Sequence, residues 1–478
     1  MNSEIDYDLV VIGSGPGGQK AAVQGAKAGQ RVGLVERERQ VGGACVYQGT
    51  IPSKTLREAA LAIMQLKRSA SVFNVTVRDD LEIVTLMERL DRVLKAHTRF
   101  ISEHLEANGI ATHHGRARLV DTEHVDVVSV RGGVQTLRAK NIVLATGSRP
   151  RTPANIPVDH EHILDSDSIL SMIYLPRSLT VLGGGVIASE YASIFSLLGV
   201  KVTVIDKAPR PLMFLDSELT GKFIDHFRRH GGEYKGNQQI TSVRWDGVSQ
   251  VVTELESGEV IKSDKMLVAL GRCANLEGLG LDAVRIELTP RGHIAVNENY
   301  QTSIPSIYAV GDVIGLPSLA SCSMEQGRRA VCHALGQDPC QAFNLVPMGI
   351  YAVPEIACVG MSEQEAREKH GDVVVGRATF DELARGQISG TTDGLLKMVA
   401  DGEGKKLLGV QIVGDGATDL IHVGELALLN DNDVSVFREN VLNFPTLGEA
   451  YRVAALNLLN VAREKSRKAG KAVLPLAA

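Results

Sequence analysis

The run Leu9-Val10-Val11-Ile12-Gly13-Ser14-Gly15-Pro16-Gly17-Gly18 decides the fold. A strand over Tyr7 to Ile12 leads into a glycine turn, a helix is expected through Ala28, and a second apolar run follows at Val32 to Val35. That order predicts a β-α-β unit with the glycines at the strand-to-helix junction. A side chain at Gly13, Gly15 or Gly18 would block the tight turn. It would also hold a phosphate away from the helix N-terminus, where free amides and the helix dipole favour anions. Glu36 ends the next strand, where a carboxylate can accept hydrogen bonds from ribose hydroxyls. Arg37 beside it is assigned to the same site. The unit reads as a dinucleotide site.

A similar unit recurs over Leu179 to Ile205, with Gly183-Gly184-Gly185-Val186-Ile187-Ala188 at its turn and Asp206 at the end of its second strand. Gly13 and Glu36 are 23 residues apart, as are Gly183 and Asp206. Equal spacing implies the same strand, turn, helix and strand lengths twice, hence two dinucleotide sites. Alanine at the third glycine position is accepted by the same fingerprint. Asp206 suits a ribose hydroxyl and should repel a 2′-phosphate, whereas Lys207 and Arg210 are close enough in sequence to counter that charge.

Between the two units, Glu82 to Asn108 reads as a long amphipathic helix, followed by short strands ending at Ile142 to Ala145. Gly147, Pro150 and Pro153 then mark a domain crossing. After the second unit, Lys265 to Leu270 is an apolar strand ending at Gly271-Arg272, and Ser306 to Val310 another ending at Gly311-Asp312. From about Pro347 the pattern changes to strands at Leu395 to Val399 and Leu408 to Val413, with helices at Thr418 to Leu429 and Gly448 to Val461. This last part reads as an α+β domain.

Length and charge narrow the possibilities. A chain of 478 residues calls for two to four domains. A formal net charge of -5 offers no basic field for a phosphate backbone, so nucleic acid is not expected as a partner. No apolar run approaches the ~18 to 20 residues needed to cross a bilayer, and no membrane association is expected. Cys45, Cys273, Cys322, Cys332, Cys340 and Cys358 lack C-x-x-C spacing, so neither a metal site nor a disulfide framework is indicated, and a reducing cytoplasm fits best. The basic run Arg463 to Lys471 reads as a solvated helix end.

Gly42-Gly43-Ala44-Cys45-Val46-Tyr47-Gln48-Gly49-Thr50-Ile51-Pro52-Ser53-Lys54 resembles the redox segment of the pyridine nucleotide-disulfide oxidoreductases, flavoproteins that include dihydrolipoamide dehydrogenase and glutathione reductase. Ala145-Thr146-Gly147-Ser148-Arg149-Pro150 resembles the family's first crossover, and Tyr308-Ala309-Val310-Gly311-Asp312 its second FAD fingerprint. Tyr351 to Gly360 resembles the opening of its dimerisation domain. The resemblance implies an α/β fold: two Rossmann-like domains, one for FAD and one for NAD(P), plus a C-terminal α+β dimerisation domain. The expected boundaries are 1–150 for FAD, 151–272 for NAD(P), 273–346 returning to the FAD/central domain, and 347–478 for dimerisation, with a homodimer or larger homo-oligomer as the assembly.

The resemblance also implies site roles. Asp312 would hold the ribityl chain, Gly115 would lie on the adenine side after His113-His114, and Ala320, in Leu319-Ala320-Ser321, would open the helix whose amides face the flavin pyrimidine ring. Lys54 would approach flavin N5 with Glu190 as its carboxylate partner, the two setting flavin potential. Val186 lies where some relatives carry an aromatic gate. Thr50 is either a hydrogen-bond donor to flavin or a space-filler replacing sulfur. Cys45 reads as a retained packing residue, with a redox centre through sulfenic acid as the alternative, and Cys322 and Cys332 read as core. Tyr451 and Arg452 read as ordering the dimer interface.

Two departures from the family pattern bear on activity. Thr50 stands where disulfide reductases carry the second cysteine, and Phe444-Pro445 stands where they carry the His-Pro whose histidine serves as acid and base. Without a neighbouring thiol, Cys45 cannot close an internal disulfide, so disulfide reduction by the family route is excluded. The Phe444-Pro445 bond is expected to be cis, as its counterpart is in the family. Thr50, Phe444-Pro445-Thr446 and Glu449 to Asn457 together resemble the soluble pyridine nucleotide transhydrogenases, which implies hydride exchange between NADPH and NAD through FAD in ping-pong fashion. A diaphorase passing electrons to quinones, dyes or oxygen is the second reading; an idle nucleotide-binding protein is the third.

Overall fold

The computed structural model describes residues 5–73, 83–339 and 345–470. They fall into two compact units: those within 1–59, 78–175 and 270–342 form the first, and those within 60–77, 176–269 and 343–478 the second.

In the first unit the apolar run becomes the strand Ile5–Ile12, in the middle of a sheet. It pairs in parallel with Val32–Glu36 on one side (Leu9 opposite Val32) and with Val134–Leu144 on the other (Val10 opposite Ile142). Ala111–His114 extends the sheet beyond Val32–Glu36, and Ile307–Ala309 pairs with Val134–Leu144. An antiparallel meander, Arg116–Leu119 and His124–Val128, completes the opposite edge. Strands covered on both faces carry apolar residues without alternation, which is why Leu9, Val10, Val11 and Ile12 are all buried.

The helix Pro16–Lys27 follows the glycine turn and packs on Ala320–Ala334. Their axes approach closely because the crossing is made of glycine: a Cβ on Gly327 would lie 2.1 Å from the Gly17 carbonyl oxygen, and one on Gly17 3.0 Å from that of Ser323. The long amphipathic segment is the helix Ile83–Ala107; residue 82, where it was expected to start, lies outside the described residues. Two short strands, Ser148–Pro150 and Arg272–Ala274, pair antiparallel and tie the two crossover segments together.

The second unit repeats the first strand–turn–helix plan. Strands Glu233–Lys235, Lys201–Ile205, Ser178–Leu182 and Lys265–Val268 lie side by side in parallel, with the helix Val186–Leu197 after the second glycine turn. Its C-terminal part is an antiparallel sheet in the order Met348–Ile350, Ile356–Gly360, Leu407–Val413, Leu395–Asp401, Val373–Thr379. The helix Glu449–Lys468 lies directly on Val373–Thr379, where a Cβ on Gly376 would come 2.0 Å from the Ala454 carbonyl oxygen. This helix runs past the expected end at Val461 and takes in Arg463 to Lys468 of the basic run; Lys471 lies outside the described residues.

Tyr451, expected to order the dimer interface together with Arg452, is fully buried in its own chain, donating to the Leu420 carbonyl at 2.8 Å, accepting from Gly424 N at 3.0 Å and stacking on Phe437. An aromatic ring with a polar tip suited this core because helix backbone supplied both partners. The Phe444-Pro445 peptide is cis.

Candidate functional site: two dinucleotide cradles

The first cradle is built by steric necessity. Gly13 has φ +104°, and a Cβ there would sit 2.3 Å from the Ala145 carbonyl oxygen. A Cβ on Gly18 would sit 1.8 Å from the carbonyl oxygen of Gly13, so turn and helix can close only without side chains. Gly15 is different: it is the N-cap of Pro16–Lys27, no side chain caps the helix, and a Cβ there would meet nothing within 4 Å. Uncapped helix amides beside open space have the geometry and polarity suited to an anion.

Glu36 is buried and held by three donors. Ser14 N reaches Oε2 at 3.0 Å, the Ser14 hydroxyl donates to the same oxygen, and Glu38 N reaches Oε1 at 2.9 Å. Ser14 Oγ also accepts from Gly42 N at 2.9 Å, so one serine joins the turn, the Glu36 carboxylate and the Gly42-Gly43 segment. Sequence reasoning passed over Ser14, which occupies a variable position of the fingerprint. Gly43 packs on the turn, its added Cβ falling 2.8 Å from Gly15 Cα; Gly42 and Gly43 both have positive φ. Gly115 N donates to the Glu36 carbonyl at 2.9 Å. Arg37 is exposed and pairs with Glu38 at 3.0 Å. A cavity of about 300 Å³ is lined by Arg39, Val41, Thr98, Glu106, Thr112 and His114 among others.

Cys45 lies in the short helix Gly43–Tyr47 and Thr50 opens Thr50–Phe73. Burial pushes the Cys45 thiol up, against a hydrogen bond with the Thr50 side chain and the positive charge of Lys54. The thiol form is therefore favoured, with the Thr50 side chain as its hydrogen-bonding neighbour. Lys54 Nζ reaches Ser53 Oγ at 3.3 Å. Cys45, Cys273, Cys322, Cys332 and Cys358 are free thiols, Cys322 and Cys332 buried as expected; Cys340 lies outside the described residues. Ala320 opens its helix with no side-chain cap at Leu319. Gly147 and Gly271, with φ +68° and +99°, precede the paired strands Ser148–Pro150 and Arg272–Ala274. Asp312 accepts from the Ser148 hydroxyl at 2.6 Å.

The second cradle repeats this plan in the second unit. Gly183 has φ +106°, and Gly185 caps Val186–Leu197 with no side-chain cap and open space where its Cβ would be. A Cβ on Gly184 would lie 2.9 Å from Asp206 Oδ2 and 3.0 Å from the Tyr234 hydroxyl, so carboxylate and phenol face the turn. Asp206 Oδ1 is fixed by Ala208 N at 2.6 Å. Burial pushes the Tyr234 phenol up and the Asp206 charge adds to it, with Arg210 opposing; its hydroxyl donates to the Ala208 carbonyl at 3.1 Å. Tyr234 carried no sequence signal, since it comes from the third strand of the unit.

Lys207 is exposed. Arg210, whose charge reaches the Tyr234 phenol, is engaged by its own loop: its guanidinium donates to Thr220 Oγ1 at 2.9 Å and to the carbonyls of Leu212, Met213 and Leu215 at 3.0 to 3.3 Å. Glu190 is buried on Val186–Leu197 and accepts from Tyr351 N at 2.9 Å. Lys54 belongs to the first unit and Glu190 to the second. Among the described residues no cluster of three metal-ligating side chains occurs, and no helix is long and apolar enough to cross a membrane.

Two glycine cradles, each with an acidic residue at the end of its second strand, define a protein that handles two dinucleotides. Residues 7–327 match the model of the pyridine nucleotide-disulphide oxidoreductase family and residues 346–455 that of the family's dimerisation domain; the chain belongs to this family. More narrowly, it is 40% identical to a soluble pyridine nucleotide transhydrogenase of Marinomonas sp. over 95% of this chain and 98% of that one. The transhydrogenase of Hahella chejuensis is likewise 40% identical, over 96% and 99%. Among solved structures it is similar to LpdA from Mycobacterium tuberculosis, with a TM-score of 0.87 at 26% identity over 95% of this chain and 99% of that one. The HOCl-induced flavoprotein disulfide reductase RclA from Escherichia coli aligns with a TM-score of 0.85 at 25% identity, over 94% and 99%.

Proposed function

We propose that this chain is an FAD-dependent soluble transhydrogenase that moves hydride between NADPH and NAD, with FAD in the first cradle and NAD(H) or NADP(H) in the second. The observation that carries the reading is the pairing of two glycine cradles with Thr50, not a second cysteine, beside Cys45, which supports dinucleotide binding without a dithiol. When bound, FAD supplies a two-electron carrier between successive nicotinamides. The chain's own residues bind and orient. Amides behind Gly15 and Gly185 seat the two pyrophosphates, and Glu36 and Asp206 take the riboses.

Lys54 and Glu190 are assigned to tuning the flavin environment by charge, Thr50 to the place of the missing sulfur, and Ala320 to presenting helix amides. We further assign 1–150 to FAD, 151–272 to NAD(P), 273–346 to the return to the FAD/central domain and 347–478 to homodimerisation, and place the protein in the cytoplasm, in keeping with its free thiols. The purified protein, mixed with NADPH and thio-NAD without oxygen, should form thio-NADH at a rate exceeding its rate with quinone. Fast quinone reduction without thio-NADH would replace this reading with a diaphorase.

A further inference from the structure

We propose that Arg272 is a positioning residue for the flavin ribityl contact, acting through the hydroxyl of Ser148 to fix the carboxylate of Asp312. The proposal rests on the reading above, in which Asp312 holds the ribityl chain.

Arg272 Nε donates to Ser148 Oγ at 2.8 Å, and Nη2 donates to the Ser148 carbonyl oxygen at 2.8 Å. The guanidinium thus grips both the hydroxyl and the carbonyl oxygen of one residue. Its remaining arm, Nη1, reaches Ser166 Oγ at 3.2 Å and Asp167 Oδ1 at 3.5 Å, which holds the plane of the fork. Ser148 Oγ lies 2.6 Å from Asp312 Oδ2.

The direction of this chain follows from counting protons. A guanidinium can only donate, so Ser148 Oγ must accept from Arg272. A serine hydroxyl has one proton, and with that lone pair engaged the proton is directed to Asp312. Oδ2 is occupied by this donor, and among the described residues Oδ1 accepts no hydrogen bond, so it is the oxygen left for a ligand hydroxyl. Without Arg272 the hydroxyl regains its rotation and Asp312 loses a fixed partner.

The backbone explains why three distant positions meet. Ser148 and Arg272 each follow a glycine with positive φ, and the short strands they open run antiparallel, with Ala274 opposite Ser148 and Arg272 opposite Pro150. Asp312 arrives from the turn Gly311–Ile314 after the strand Ile307–Ala309. A residue that only stitched two crossover strands together would need no path to Asp312.

The test is a double-mutant cycle on the holoenzyme with Ser148→Ala and Arg272→Met, read as the rate of FAD release on dilution, with the urea unfolding midpoint measured alongside. Ser148→Ala removes one hydroxyl and serves if Arg272→Met folds poorly. Each single variant is expected to release FAD about tenfold faster, the loss typical of a buried hydrogen-bond partner. The double variant should be no worse than the worse single one, because both act in one relay. KM for NADPH, measured on the flavin-loaded fraction, should stay unchanged. Multiplying effects, or an FAD release rate that Ser148→Ala leaves alone while the unfolding midpoint falls in Arg272→Met, would reduce Arg272 to a structural tie and overturn the proposal. A wild-type protein that binds no FAD would instead overturn the functional reading, and the proposal with it.

Discussion

Gly18 and Gly15 occupy the same turn, yet they answer to different demands. At Gly18 an added methyl would meet backbone at 1.8 Å, and neither strand nor helix can retreat. Gly18→Ala is therefore expected to cost several kcal/mol, at the upper end for single substitutions, and to yield protein with little bound FAD. Gly15→Ala meets nothing in the fold, so its unfolding midpoint should stay near that of wild type while FAD affinity falls, because the space beside the helix amides is the ligand's. Calorimetry with flavin absorbance on both variants checks this; equal destabilisation would contradict it. Such glycines were legible in the sequence because their constraint is local. Ser14, Tyr234 and Ser148 were not, since a polar residue gains its role from partners 22 residues (Glu36), 26 residues (Ala208) and 164 residues (Asp312) away.

Arg210 shows the same limit from the other side. Sequence proximity to Asp206 suggested a counter-charge for a 2′-phosphate, but its guanidinium is committed to the loop from Leu212 to Leu215 and to Thr220. Leu212 N in turn donates to the Gly184 carbonyl at 2.8 Å, so that loop supports the second cradle. Arg210→Ala is expected to raise KM for NADH and NADPH alike, about tenfold or less. Lys207→Ala, which loosens nothing, should raise KM for NADPH alone. Steady-state kinetics with both cofactors decides it, and a selective NADPH defect in Arg210→Ala would return the role to Arg210.

At the scale of elements, the helix Ser217–Arg229 is anchored at both ends by ionisable groups. Asp216 caps it, accepting from Glu218 N at 2.9 Å, and its other oxygen receives Lys397 Nζ at 2.8 Å. Lys397 is 2% exposed in the strand Leu395–Asp401 and also meets Glu218 at 2.6 Å and Glu363 at 2.7 Å. Removing Lys397 leaves the buried Asp216 without its cation, while Arg377 still meets Glu218 and Glu363 and Arg367 still meets Glu363, so Lys397→Met should destabilise by about 3 kcal/mol, the low end of the loss seen when one partner of a buried ion cluster is deleted. Urea denaturation measures it; an unchanged midpoint would show the cluster to be dispensable.

Toward the other end, His226 stacks on His230 with ring centroids 4.3 Å apart. Burial, reinforced by the charges of His230 and Arg229, holds His226 down at about 4. The unfolded chain binds this proton near the ordinary histidine value, so the contribution is complete above about pH 6.5 and is lost as pH falls from there towards 4. Thermal midpoints across that range should fall less steeply in His226→Gln than in wild type; identical slopes would remove the assignment. Strands and helices of the two repeated units were readable because strand burial and helix caps coincide with the sequence pattern. The antiparallel strands Ile240–Trp245, Val251–Leu255 and Val260–Ser263 gave less, since the first and last keep only one buried residue each and so carry weak alternation.

For the molecule as a whole, the number of cradles limits the order of events. FAD occupies the first in the proposed function, and only the Gly183 turn remains for a nicotinamide dinucleotide. Both NADPH and NAD need that seat: the helix amides behind Gly185 for the pyrophosphate, and the end of Lys201–Ile205 at Asp206 for the ribose. Two dinucleotides cannot hold one set of amides, so donor and acceptor exclude each other and must visit in turn. NADPH should react and leave before NAD enters, which gives parallel lines when reciprocal rate is plotted against reciprocal thio-NAD concentration at several NADPH concentrations. The same exclusion makes each substrate an inhibitor at high concentration, because excess NADPH occupies the seat that thio-NAD needs. Lines that intersect, without such inhibition, would mean that donor and acceptor are bound together and that a second nicotinamide seat exists outside the Gly183 turn.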